Sequence, residues 1–181
     1  MRLTELDIKG AFVVEPEAHV DERGFFARTW CAREFASHGL ASQMVQANVS
    51  YNRRAGTLRG LHLQRPPAAE AKLVRAIRGR LWDVVLDLRP ESPTFLGHVS
   101  VELFAGGDAM VYVPAGCAHG FQTLEDDTEV LYLMSDYHAP EHATGVRWND
   151  GAFGIRWPLP SHTISLRDRS YPDFDGAAWR G

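Results

Sequence analysis

The sequence predicts an all-β protein, an antiparallel sandwich or barrel with a few short helices. Three observations carry that expectation. Short runs rich in β-branched and aromatic residues recur about every ten residues; helical periodicity is scarce; and the sixteen glycines and ten prolines punctuate the runs instead of gathering in a linker. With 181 residues in hand, folding buries roughly 70% of the extended chain's surface, enough for one self-sufficient core. Residues 1–181 are therefore read as one domain.

Taken in order, residues 31–38 (CAREFASH) support two helical turns closed by Gly39. Strands are expected at 45–51, 72–77, 81–88, 99–104, 109–113 and 129–134. In 81–88 (LWDVVLDL), Trp82, Val84 and Leu86 share one face, and Asp83, Val85 and Asp87 share the other. From 161 to 181 the chain is polar, with a Tyr-Pro step and several aspartates, and reads as a loosely structured tail packing on the body. Trp148 and Trp157 read as packing residues.

Composition narrows the function. Twenty-three acids against 19 bases give a net charge of −4, which argues against a nucleic-acid partner. No apolar run reaches the roughly 18 residues a membrane span requires. The opening MRLTELDIKG puts acids where a signal peptide needs its apolar stretch, so a cytoplasmic location is expected. Cys31 and Cys117 are too few for a disulfide framework or a cysteine-based zinc site and read as ordinary half-buried thiols. Only two bases are lysines, Lys9 and Lys72.

Chemistry-bearing residues concentrate in 56–72 (GTLRGLHLQRPPAAEAK) and 112–121 (YVPAGCAHGF). These resemble the two half-motifs of the cupin jelly roll, with Gly56 leading to His62, and with Pro114, Gly116 and His119 forming the second half. A metal in such a barrel wants three or four converging N/O ligands. Here Gln64 stands where a second histidine would be, and Glu70 lies beyond Pro66-Pro67, so no metal is expected. Two inward histidines are still compatible with a structural role or with general-base work near neutral pH. Arg59 and His62 are three apart and would face opposite sides of a regular strand; a bend at Gly60 would bring both to one pocket. Arg59 suits a phosphate or carboxylate, and Lys72 suits a developing oxyanion. Base, cation and anion clamp together favour proton abstraction beside a carbonyl in an anionic substrate.

Several segments in unbroken order carry a resemblance to a family. They are DERGFF (21–26), QANVS (46–50), GTLRGLHLQ (56–64), KLVR (72–75), DVVLDLRPESPTF (83–95), VPAGCAHGF (113–121), VLYLMSDYHAPEH (130–142) and WND…WP (148–158). Over residues 10–170 the chain resembles the dTDP-4-dehydrorhamnose 3,5-epimerases and their deoxysugar-pathway relatives. The resemblance implies a cupin-type jelly roll and a cofactor-free, metal-free homodimer. It also implies inversion of C3 and C5, both α to the C4 ketone, of a dTDP-4-keto-6-deoxyhexose. Carried over by position, His62 is the base, Asp168 its dyad carboxylate, Lys72 the enolate's cation and Tyr132 the acid on the opposite ring face. Arg23 and Phe26 are implied to reach the partner's site; Gln46, Asn48 and Arg59 to hold the nucleotide and diphosphate; His119 to lie near the sugar. Two departures concern the lining: Arg28 replaces a usual glutamate, and His138 replaces a usual tyrosine near the nucleotide or sugar. An epimerase acting on one carbon of a modified dTDP-4-ketosugar is the alternative. A metal-dependent cupin enzyme and a non-catalytic sugar-binding module are more remote readings.

Overall fold

Apolar side chains at every second position give a strand one face to cover, and two antiparallel sheets stacked face to face meet that demand. The computed structural model describes residues 1–161 and 163–180. Its elements are β1 (Arg2–Glu5), β2 (Phe12–Glu15), β3 (Ala18–Asp21), β4 (Gly24–Ala27), α1 (Ala32–Ser37), β5 (Gln46–Asn52), β6 (Thr57–Gln64), β7 (Lys72–Arg78), β8 (Arg80–Asp87), β9 (His98–Phe104), β10 (Met110–Val113), β11 (Cys117–Thr123), β12 (Thr128–Met134), β13 (Ala143–Gly145), β14 (Thr163–Ile164), α2 (Leu166–Arg169) and α3 (Gly176–Arg180).

One sheet runs β1-β2-β10-β7-β12-β5 and the other β13-β6-β11-β8-β9, with β14 also paired to β6; β3 and β4 form a hairpin apart from both. This is the cupin-like jelly roll. Between the sheets lies a core of Val74, Ala76, Val111, Val113 and Val130 from one side and Leu81, Val85, Leu103, Cys117 and Phe121 from the other. Outside the first sheet, Phe35 of α1 is fully buried against Val14, Leu73, Met110 and Tyr112. Gly39, at φ +70°, ends that helix's turn as the sequence suggests.

The expected strands fall within two residues of the observed ones, but β1–β4 carry too few alternating apolar residues to be read. The C-terminal segment packs on the body as expected but is not loosely structured: Phe174 and Trp179 join Trp157 and Ile155 over Leu61, Leu63, Val84 and Leu86, the outer face of the second sheet. Trp179 donates its indole N–H to the Leu88 carbonyl at 2.8 Å, and Arg65 lies 4.5 Å over its ring. These rings are half-buried, and the apolar area they cover docks a segment whose polar composition conceals its anchors. Positions 162 and 181 of that segment lie outside the described residues.

Cys117 is buried, not half-buried. Burial, aided by the neighbouring Asp87 carboxylate, pushes its thiol up to about 12, which leaves it unreactive. Among the described residues, no helix is long and apolar enough to cross a membrane.

Candidate active site

Glycine geometry in β6 builds one wall of the site. Gly60 has φ +126°, and a Cβ there would sit 2.5 Å from the Gly120 Cα. Opposite β11, His62 pairs with His119 while Arg59 pairs with Phe121. Gly60 and Leu61 therefore face Gly120 alone, as a bulge. That one-residue slip turns Arg59 and His62 into the same cavity, as the bend at Gly60 foretells. The cavity measures about 990 Å³ and lies between the sheets. Arg59, His62 and His119 line one wall, Gln46, Asn48, Lys72 and Tyr132 the other, and His138, Arg167 and Asp168 its edge.

His62 Nε2 lies 2.7 Å from Asp168 Oδ1. Ser165 caps the short α2 by accepting the Asp168 backbone N–H at 3.0 Å, which fixes the carboxylate. Its other oxygen accepts the Gly60 N–H at 3.2 Å. Burial alone would raise the Asp168 carboxyl; the hydrogen bond and charge of His62, with Gly60 N–H and Ser165, outweigh it and hold the group below its usual value. An ionised Asp168 requires the proton on Nε2, which leaves the His62 lone pair on Nδ1.

A second pair stands beside the first: His119 Nε2 is 2.8 Å from Asp83 Oδ2. Its side chains are 9% and 1% exposed, against 39% for His62. Across the cavity, the Lys72 ammonium donates to the His62 carbonyl at 3.1 Å and pairs with Glu70 Oε1 at 3.1 Å. Tyr132 sits between Asn48 and Val74 in the facing sheet, so its phenol approaches the cavity from the side opposite His62. Arg59 is held by Asn52 Oδ1 at 2.8 Å and the Tyr51 carbonyl at 3.3 Å. Gln46 Oε1 accepts the His138 backbone N–H at 2.6 Å, tying the 137–140 loop to the rim.

The structure thus brings together His62, Asp168, Lys72, Tyr132, Gln46, Asn48, Arg59, His119 and His138. It does not bring Arg23 or Phe26 to the cavity of their own chain. Both lie on the β3–β4 hairpin, where Arg23 bonds Asp21 and Phe26 is 70% exposed. Sequence reasoning misses three residues. Asp83 is read only as sharing a face with Val85 and Asp87, Glu70 is discounted as lying beyond the prolines, and Arg167 is not singled out beside Asp168.

The model of the family dTDP-4-dehydrorhamnose 3,5-epimerase matches residues 5–176. A dTDP-4-dehydrorhamnose 3,5-epimerase of Pseudomonas aeruginosa is 41% identical over 98% of this chain and 98% of its own. The chain belongs to the dTDP-4-dehydrorhamnose 3,5-epimerase family. Among solved members, the Bacillus anthracis enzyme with TDP and PPi bound superposes with a TM-score of 0.91 at 39% identity, covering 96% of this chain and 99% of that one. A 3'-monoepimerase of Streptomyces bikiniensis in complex with dTDP-quinovose gives 0.84 at 34%, covering 93% and 85%. Within this epimerase-family chain, Arg28 pairs with Glu34 of α1 at 3.3 Å, away from the cavity, whereas His138 lines it.

Proposed function

We propose that the protein is an isomerase that inverts C3 and C5 of a dTDP-4-keto-6-deoxyhexose by successive enolisation. The observation that carries this reading is an imidazole backed by a carboxylate and a phenol from the opposing sheet, both lining one cavity with an ammonium. His62 Nδ1 takes the proton from the carbon α to the ketone. The C–H electron pair forms the enolate, whose negative oxygen Lys72 stabilises, and Asp168 stabilises the imidazolium. Tyr132 then gives its proton to the same carbon from the other face. The C–H bond is re-formed with inverted configuration, and solvent returns the phenol and imidazole to their starting forms. A positioned acid or base supplies about 10²–10⁴-fold each, and an oxyanion donor about 3–4 kcal/mol, so these side chains suffice for hydrogens already acidified by the ketone.

Arg59 and Arg167 provide the cations for the diphosphate, Gln46, Asn48 and His138 the nucleotide contacts, and His119 a contact to the sugar. The active form is a homodimer in which Arg23 and Phe26 of one hairpin enter the other subunit's cavity. Three exposed apolar side chains on that hairpin, Val20, Phe25 and Phe26, support it, since such a patch marks an interaction surface. No cofactor or metal is required, and a cytoplasmic setting suits an enzyme of a nucleotide-sugar substrate.

Incubation with dTDP-4-keto-6-deoxyglucose in D₂O, followed by NMR, tests the reading. Deuterium at both C3 and C5 is expected. Deuterium at one carbon alone gives the monoepimerase reading favoured by the Streptomyces likeness, and none at either carbon rejects enolisation. EDTA should leave the rate unchanged, and sedimentation should give a dimer.

A further inference from the structure

Glu70 has no part in the chemistry above, yet it is an almost wholly buried ion-pair partner on the cavity wall. Its side chain is 2% exposed and that of Lys72 9%. The turn through Pro66-Pro67, closed by Ala68 N–H on the Arg65 carbonyl, sends the chain back toward the end of β6. Glu70 Oε2 there accepts the Gln64 N–H at 3.1 Å, and Oε1 meets Lys72 Nζ at 3.1 Å. Gln64 belongs to the sheet that carries His62, and Lys72 to the facing one. The carboxylate therefore ties the two sheets together at the point where base and cation stand.

An ammonium has three N–H donors. In Lys72 one goes to Glu70 and one to the His62 carbonyl. We propose that Glu70 is the positioning residue for Lys72: with the His62 carbonyl it fixes two of the three N–H bonds and directs the third at the ketone oxygen of the substrate. A lysine on a four-carbon stem is otherwise a loosely aimed point charge, and oxyanion stabilisation depends on a donor already in place before charge develops. Stability alone gives a weaker account of the pair, because apolar side chains of similar volume serve a buried wall at least as well. This inference rests on the proposed function, through the role given to Lys72.

The test uses the scarcity of lysine. Labelling with ε-¹⁵N-lysine yields two side-chain signals, from Lys9 and Lys72. Lys9, exposed, exchanges its protons quickly, and Lys9→Arg assigns what remains. In the wild type Lys72 is expected to give a slowly exchanging ammonium signal. Glu70→Gln, nearly the same shape without the charge, is expected to lose that signal to exchange and to lower kcat at least about tenfold, while KM changes less than about threefold. Glu70→Asp, whose carboxylate is one methylene short, is expected to resemble Glu70→Gln. A folded Glu70→Gln protein with unchanged kcat overturns the proposal, as does a fall in kcat with the Lys72 signal intact. Should the variants not fold, wild-type Lys72 exchanging as fast as Lys9 overturns it. Failure of the functional reading looks different, because the wild type would then place no deuterium in the sugar.

Discussion

Two histidine–carboxylate pairs lie side by side in this molecule, His62–Asp168 and His119–Asp83, on residues that oppose one another across β6 and β11. Their bond lengths are nearly equal, 2.7 and 2.8 Å, so distance does not distinguish them. Origin and access do. Asp83 comes from β8, the strand next to His119 in the same sheet, and that pair is almost wholly covered. Asp168 comes from the C-terminal segment, 106 residues from His62, and its imidazole keeps one edge open to the cavity. The pair made inside the sheet is nearly covered, whereas the one completed by a docked segment leaves its histidine more open to a ligand.

The comparison predicts unequal consequences. Exchanging His62 for Asn should lower kcat by about 10²–10⁴-fold with little change in Tm, whereas His119→Asn should cost less activity and more Tm. Deuterium wash-in and thermal melts on both variants check this, and a reversed order would break the distinction. Asp168→Asn should cost at least about 10²-fold, and combining it with His62→Asn should add little, because the two act as one unit. Multiplying losses in the double variant would separate them. Gly60→Ala should destabilise by about 1–3 kcal/mol and slow the reaction, since relief of the 2.5 Å approach to Gly120 shifts the bulge that aims His62. Urea titration beside a rate assay tests it.

The smallest effect concerns acid. The Asp168 carboxyl is held below its ordinary value of 3.8. Its contribution to stability is therefore complete above that value and disappears as pH falls through the lower native one. The stability gap between wild type and Asp168→Asn should be constant above about pH 5 and shrink in more acidic buffer. A gap that widens on acidification would reverse the assigned direction.

Much of the site was legible because period two is local. Once 46–50, 56–64, 72–75 and 130–134 are strands, period two puts Gln46 with Asn48 on one face and Tyr132 with Val130 on one face, but which face lines the cavity came only from the family resemblance. Gly60 announced its bulge, because a glycine inside a strand invites one. Asp83 and Glu70 were visible as charges within or beside the strands, but pairing them with His119 and Lys72 needed the third dimension. The first four strands escaped notice because two-residue alternation over four residues is too short to stand out.

By itself the sequence determined the longer strands, their two-residue alternation, the scarcity of lysine and the motifs that carry the family likeness, all consequences of covalent order and short-range sterics. Tertiary structure alone decided that Asp83 serves His119 and Glu70 serves Lys72, and that the polar C-terminal segment docks through Phe174 and Trp179. Those outcomes depend on burial and on contacts between residues distant in the chain, where the free energy of packing, not local preference, selects the neighbour.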